Sequence, residues 1–297
     1  MQNDARQESV IRQFAAWGAA RDAVRAMLLT SSRAVPNAPL DAFSDYDVIL
    51  ILRDIHPFHE DRTWLGDFGP VLVMYRDPIM IQDGWEKSGL VVQYENGFKI
   101  DFTLWPVQLL QKIAADPQLP DEFDAGYQII LDKDQLTNKL QAPTYAAYIP
   151  HPPSQTAYQT MIEELFLDAT YVAKLLWRDD IMAAKHILDD LMKLEYLLPM
   201  LEWHAEIAHN WSVKPGPYGR RLKGWLRPDL WAELESTYTG ADIAANWDAL
   251  YKTIALMRHA ALEVGQNLGY TYPQDLETRV MTYLQTVQHL PPNAALF

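Results

Sequence analysis

Short apolar runs separated by polar turns fill the first half of the chain, and this spacing predicts β-strands. The predicted strands cover residues 26–30, 48–52, 70–75, 90–94, 98–105 and 129–134. Asn96 and Gly97 lie between the fourth and fifth runs, and this dipeptide is a strong signal for a tight hairpin. Apolar side chains at helical spacing predict a first helix within residues 4–25, whereas residues 54–67 are predicted to form a polar loop.

The second half of the chain has a different pattern, with apolar residues recurring every three or four positions. Beyond a helix predicted over 106–115, helices are expected at residues 154–177, 181–209, 225–237, 242–268 and 273–289. Four prolines within residues 143–153 mark a linker. We therefore predict an α+β protein, with a mixed β-sheet and flanking helices over residues 1–142 and an all-helical bundle over residues 143–297.

Composition narrows the class of protein. The 297 residues include 49% hydrophobic residues and no cysteine, so the chain can build sizeable cores but has no disulfide or thiolate metal site. No apolar run of about 18 residues occurs, and the N-terminal segment is polar, so a soluble cytoplasmic protein with no membrane partner is expected. The net charge of −14 argues against a nucleic-acid partner and suits a cationic substrate.

Asp45 and Asp47 are the first candidates for chemistry. Alternate residues of a strand point to the same face, so these two carboxylates lie together where the second strand begins. Side-by-side carboxylates repel each other unless a cation lies between them, and Mg²⁺ commonly binds one or two carboxylates together with substrate phosphates. Asp101 is a lone charge within an otherwise core-forming strand and would complete a three-carboxylate site. The alternative interpretation is a solvated strand end for Asp45 and Asp47 and a solvent-facing sheet position for Asp101.

The turn at Ser31, Ser32 and Arg33 precedes this acidic pair by one loop. Its hydroxyls, backbone N–H groups and guanidinium suit phosphate oxygens. A phosphate-binding turn beside a metal-binding pair is what an enzyme that transfers nucleotides requires, so Mg²⁺ bound together with nucleotide phosphates is expected.

Several segments resemble one family, in the family's order and across roughly residues 10–285. The chain is similar to the aminoglycoside 6-adenylyltransferases, or streptomycin adenylyltransferase family, within the polymerase-β-like nucleotidyltransferase superfamily. The segments that carry the resemblance are SSRAVPNAPLDAFSDYDVILIL, KIDFTLWP, IILDKD, TYVAKLLWRDD, MLEW, GPYGRRLKGWL and LESTY.

The resemblance implies transfer of AMP from ATP to a hydroxyl of an aminoglycoside, with release of pyrophosphate. Asp45 and Asp47 would hold Mg²⁺ against the triphosphate, and Asp101 would bind a second ion or accept the proton. Glu164 matches an acidic family position and would be the base or a substrate anchor.

Further roles follow from the same resemblance. Ser32 would bind the β- or γ-phosphate. Lys174 and Arg178, one helical turn apart, would bind the departing pyrophosphate. The acidic pair Glu202 and Glu206 is a further candidate for the polycationic acceptor. The sequence leaves the oligomeric state open and favours a monomer.

The chain departs from the family pattern at two places. Ser31 replaces the family's glycine in the turn, and Pro217 follows Gly216 where the family usually has lysine. These departures suggest a divergent member, so the expected acceptor is a streptomycin-like aminoglycoside antibiotic without being fixed as streptomycin itself. Two alternatives stay open: a nucleotidyltransferase with another small-molecule or protein acceptor, and a non-catalytic nucleotide-binding relative. No G-x-S-x-G, H-E-x-x-H or P-loop motif supports a hydrolase or a P-loop enzyme.

Overall fold

The computed structural model describes residues 2–214, 216–291 and 294. The chain divides into two compact units between Tyr148 and Ile149, within the proline-containing segment 143–153. Each unit has its own apolar core.

The first unit is built on a mixed sheet. Within the described residues, seven strands pair in the order β3–β5–β6–β2–β1–β7, with β4 added beside β5. The β2–β6 pair is parallel, and the other pairs are antiparallel. The strands are β1 (Val24–Thr30), β2 (Tyr46–Leu52), β3 (Val71–Arg76), β4 (Met80–Gln82), β5 (Trp85–Tyr94), β6 (Lys99–Pro106) and β7 (Tyr127–Asp132).

Helices cover both faces of this sheet, which explains why β2 is apolar at successive positions. Leu50 packs on one face with Phe14 and Trp64. Ile49 and Ile51 pack on the other face, in a cluster that also contains Leu110 and Phe123. The helices of this unit are α1 (Gln2–Ala19), α2 (His56–Glu60), a 3₁₀ helix at Thr63–Phe68, α3 (Val107–Ala115) and α4 (Asp121–Asp124).

The second unit is helical throughout its described residues. Its elements are α5 (Gln155–Trp177), α6 (Ile181–Lys185), a π-helix (His186–Leu197), α7 (Leu198–Ala208), a 3₁₀ helix (Pro217–Gly219), α8 (Leu222–Trp225), α9 (Pro228–Ser236), α10 (Ile243–Leu268) and α11 (Gln274–Gln288). Side-chain caps define two starts, because Ser154 accepts from the Ala157 N–H and Asp242 accepts from the Ala245 N–H. The Tyr158 hydroxyl donates to the Ala261 carbonyl at 2.8 Å and ties α5 to α10.

The predicted fold class, a mixed sheet with flanking helices followed by a helical region, is confirmed. Some boundaries were wrong. The first helix ends at Ala19 rather than residue 25, and β1 already begins at Val24. The predicted loop at 54–67 contains two short helices. The helix predicted over 225–237 is interrupted at residues 226–227, because a residue before proline avoids helical backbone and Pro228 begins α9.

Two short elements had no counterpart in the prediction. Strand β4 pairs with the first residues of β5, and α4 lies between the helix predicted over 106–115 and the strand predicted over 129–134. Within the described part of the chain, no helix combines the length and apolar character needed to cross a membrane.

Candidate active site

The turn after β1 has an unusual backbone conformation. Residues 31–34 form a single 3₁₀ turn, and Ser31 has a φ of 58°. This left-handed region disfavours side chains with a Cβ and suits glycine, which is the residue expected here from the family pattern. The structure therefore retains the glycine-like backbone although the residue is serine. The Ser31 hydroxyl acts on the Asp47 carboxylate and lowers its pKa.

The three candidate carboxylates meet on one face of the β2–β6 pair. The parallel register places Asp47 directly beside Asp101. Extended by one residue, the same register places Asp45 beside Lys99. Because side chains two residues apart share a face, all four side chains project to the same side. The structure thus brings together acids that lie 54 residues apart in sequence.

Lys99 lies between two of these acids. Its ammonium nitrogen donates to Asp45 Oδ2 and to Asp101 Oδ2, both at 2.8 Å. Burial lowers the pKa of Lys99, but hydrogen bonds to both carboxylates outweigh it, so the net pKa is raised. The sequence interpretation did not select Lys99. The available signal was its position two residues before Asp101, on the same strand face.

Asp47 has the most perturbed carboxyl of the group. Burial, followed by the charges of Asp101 and Asp45, raises its pKa to about 6, and Ser31 and Lys99 act in the opposite direction. Asp101 Oδ1 is buried and has no hydrogen-bond partner among the described residues. A carboxylate with a raised pKa beside an unpartnered carboxylate oxygen indicates negative charge that the protein alone does not neutralise.

These residues fit a hard divalent cation, since all three side chains offer oxygen ligands. As the side chains stand, no group of three His, Cys, Asp or Glu residues in the described chain is arranged around a single metal position. The Lys99 ammonium instead bridges two of the candidate ligands. Asp45, Asp47 and Asp101 would have to reorient to bind a metal together.

Arg33 anchors the backbone that carries Asp45. Its Nε donates to the Asp45 carbonyl at 2.9 Å, one Nη donates to the Ser44 carbonyl at 2.6 Å, and the other Nη donates to Gln7 Oε1. The guanidinium also stacks 3.9 Å above the Tyr46 ring. In this arrangement Arg33 fixes the entry into β2, and the phosphate contact expected from the sequence would come from the neighbouring serines.

The remaining predicted site residues lie on α5 or at its C-terminal end, in the second unit. Glu164 and Lys174 are on the helix and Arg178 is its C-cap residue. Glu164 and Arg178 are exposed. The Lys174 ammonium lies 4.9 Å from the centre of the Tyr171 ring. Neither Lys174 nor Arg178 forms an ion pair with a described residue, so both cations are available to a ligand.

Acidic groups accompany these residues. Asp168 was not selected from the sequence, and its Oδ2 atom is buried without a hydrogen-bond partner among the described residues. Burial raises the pKa of Tyr196, and the negative charges of Asp168 and Glu164 raise it further. On α7, Glu206 is 1% exposed, and its Oε1 also has no described partner. Burial and the Glu206 charge raise the pKa of Glu202 to about 7.

The mixed sheet, with its carboxylates beside a serine turn, defines a nucleotidyltransferase-type enzyme. The family model described as Streptomycin adenylyltransferase matches residues 5–287. The chain therefore belongs to the streptomycin adenylyltransferase family, and the family predicted from the sequence motifs is confirmed.

Curated relatives are similar over most of their length. The chain is 28% identical over 267 residues to an aminoglycoside 6-adenylyltransferase of Bacillus subtilis (strain 168), covering 89% of this chain and 91% of that protein. It is 29% identical over 252 residues to the protein of the same name from Campylobacter jejuni, covering 84% and 85%. The crystal structure of an aminoglycoside 6-adenyltransferase from Bacillus subtilis matches 94% of this chain and 97% of that chain, with 24% identity and a TM-score of 0.47.

Proposed function

We propose that this enzyme transfers AMP from ATP to a hydroxyl group of an aminoglycoside and releases pyrophosphate, with Mg²⁺ as the metal. The observation that carries the proposal is the convergence of Asp45, Asp47 and Asp101 on one sheet face beside the Ser31 turn. The names of the curated relatives support the acceptor class.

We propose that residues 1–142 supply the metal-binding carboxylates and the serine turn, and that residues 143–297 bind the acceptor and supply two further cations for the phosphates. Ser31 and Ser32 bind phosphate oxygens at the turn, and Arg33 keeps the Asp45 segment in place. Lys174 and Arg178 bind the negative charge of the triphosphate and of the leaving pyrophosphate. We place the enzyme in the cytoplasm, which supplies ATP, and expect it to act as a monomer.

Bound to Asp45, Asp47 and Asp101, divalent metal would neutralise the triphosphate and lower the pKa of the attacking hydroxyl. In the transfer step, the acceptor oxygen forms a bond to the α-phosphorus, and the bond from that phosphorus to the bridging oxygen breaks. The hydroxyl proton passes to a carboxylate. Two carboxylates are candidates to accept this proton: Asp101, which has one oxygen without a hydrogen-bond partner among the described residues, and Glu164.

A cationic acceptor explains the unneutralised acids of the second unit. Glu206 keeps a buried carboxylate oxygen without a described partner, and Glu202 beside it has a pKa of about 7. An ammonium or guanidinium group of the acceptor would relieve the repulsion between them. Departure from glycine at Ser31 favours a divergent member, so streptomycin is one candidate acceptor among the aminoglycosides.

Pyrophosphate release from ATP tests the proposal. Wild-type protein is assayed with Mg²⁺ and a panel that contains streptomycin and other aminoglycosides, alongside Asp47→Asn and, as a control for the loss of one carboxylate, the exposed Glu95→Gln. We expect release that requires an aminoglycoside, persists in Glu95→Gln, and falls about a hundredfold or more in Asp47→Asn.

Two other outcomes would favour the alternatives. ATP binding without release across the panel would indicate a nucleotidyltransferase with a different acceptor. Absence of both ATP binding and release would indicate a non-catalytic relative.

A further inference from the structure

The Lys99 ammonium group lies between the Asp45 and Asp101 carboxylates, where a metal ion bound to both would lie. Its ammonium nitrogen is 2.8 Å from Asp45 Oδ2 and 2.8 Å from Asp101 Oδ2. We propose that Lys99 is a positioning residue that serves as the internal counter-ion of this site: it holds the two carboxylates together in the metal-free enzyme and competes with the divalent cation for them. This inference rests on the proposed metal-dependent function.

The sheet geometry makes such a counter-ion necessary. Like charges at paired positions of a sheet are destabilising, and the register sets Asp47 beside Asp101 with Asp45 one step away. Lys99 fills the fourth corner of this square and contacts two of the three acids. Without it, none of the described residues would place a cation at hydrogen-bonding distance from the three carboxylates.

Competition follows from the atoms involved. Both ammonium contacts are made to Oδ2 atoms of proposed metal ligands, and magnesium binds its oxygen ligands at about 2.0–2.1 Å. An ammonium group at hydrogen-bonding distance from the same oxygens would repel that ion and has to leave. The lysine side chain is 30% exposed and has a flexible four-carbon stem, so its ammonium group can swing into solvent.

A second interpretation makes the opposite prediction. If Lys99 only braces the sheet, and the metal needs the carboxylates held in their present positions, removing it would weaken metal binding or leave it unchanged. If Lys99 competes, removing it tightens metal binding although the metal-free protein becomes less stable. The two readouts move in opposite directions only under competition.

The test uses Mn²⁺ alone, without ATP or antibiotic. Binding is measured by calorimetry or by the paramagnetic resonance of free Mn²⁺ for wild type, Lys99→Met, Lys99→Arg and Lys139→Met. Lys139 is an exposed lysine of the same unit, so its variant controls for the change in net charge. Thermal unfolding with and without Mn²⁺ provides the second measurement.

We expect Lys99→Met to bind Mn²⁺ about tenfold more tightly than wild type, which corresponds to ~1.4 kcal/mol. The same variant should melt at a lower temperature without metal and gain more than wild type when Mn²⁺ is added. Lys99→Arg, which keeps the charge, and Lys139→Met should both bind as wild type does.

Equal or weaker Mn²⁺ binding by Lys99→Met would overturn the competition while leaving the metal site and the proposed reaction intact. Absence of Mn²⁺ binding from wild type and Lys99→Met alike would overturn the metal site itself and, with it, this role for Lys99.

Discussion

Replacing Asp47 by asparagine should inactivate the enzyme and at the same time stabilise its metal-free form. The carboxyl has an ordinary pKa of 3.8 and a pKa of about 6 in the folded protein, raised first by burial and then by Asp101 and Asp45. Between these two values the folded protein holds a proton that the unfolded chain has lost. Stability therefore falls as the pH rises through this window.

The difference between 3.8 and about 6 corresponds to ~3 kcal/mol at a pH well above both values. Solvent reaches part of the Asp47 side chain and screens its charge, so we expect about half of this, ~1.5 kcal/mol, at pH 7.5. At pH 4.5 the folded carboxyl keeps its proton, and the pH lies less than one unit above the ordinary pKa of 3.8, so the free-energy cost of holding that proton is much smaller. The stability difference between variant and wild type should then shrink to about a third.

Because the chain has two compact units, the measurement must follow the first unit alone. Hydrogen exchange of peptides from β1, β2 and β6, in the presence of a chelator, reports the opening free energy of this sheet. Glu95→Gln, which removes an exposed carboxylate of the same unit, serves as the control. The reasoning would be refuted if Asp47→Asn protected these strands no better than wild type at pH 7.5, or if its advantage did not decline at pH 4.5.

Three further predictions concern the turn and the second unit. Ser31→Gly should relieve the left-handed strain, worth about 1 kcal/mol, so hydrogen exchange in β1 should slow. The same variant loses the hydroxyl that lowers the Asp47 pKa, so the pH profile of activity should shift upward. Ser31→Ala keeps the strain and should be less stable than both wild type and Ser31→Gly. Glu202→Gln should weaken aminoglycoside binding about tenfold by calorimetry and, since the Glu202 pKa is raised to about 7, stabilise the ligand-free protein more at pH 8 than at pH 5. Lys174→Met should raise the KM for ATP about tenfold and leave the KM for the aminoglycoside unchanged.

Local sequence patterns were sufficient for the strands that carry the site. The apolar run of β2 and the Asn96–Gly97 turn are short-range signals, and in the structure this turn joins β5 to β6 with Gly97 in the left-handed region. Asp45 and Asp47 stood out because they interrupt a strand entry. Each of these features depends on neighbours within a few residues, which is the range over which propensity and periodicity act.

The partners of these residues depend on pairing between distant segments, which periodicity does not specify. The parallel register of β2 and β6 decides that Asp47 neighbours Asp101 and that Lys99 neighbours Asp45. A shift by one residue would have turned these side chains to the opposite face. The π-helical conformation of His186–Leu197 could not be predicted from the sequence either, because the apolar spacing of this segment predicts an ordinary α-helix.

Ser31 connects the local and the long-range arguments. Its backbone keeps the positive φ that suits glycine, at an energetic cost that a serine in a relaxed turn would not carry. Burial and two like charges raise the pKa of Asp47, and the hydroxyl that Ser31 adds acts in the opposite direction, because it favours the ionised carboxylate. A chain released from catalysis would have no reason to keep a strained serine on a proposed metal ligand together with two further acids. The serine in place of the family's glycine therefore favours an active site in which the Asp47 pKa has been adjusted. The direction in which Ser31→Gly shifts the pH profile of activity tests that inference.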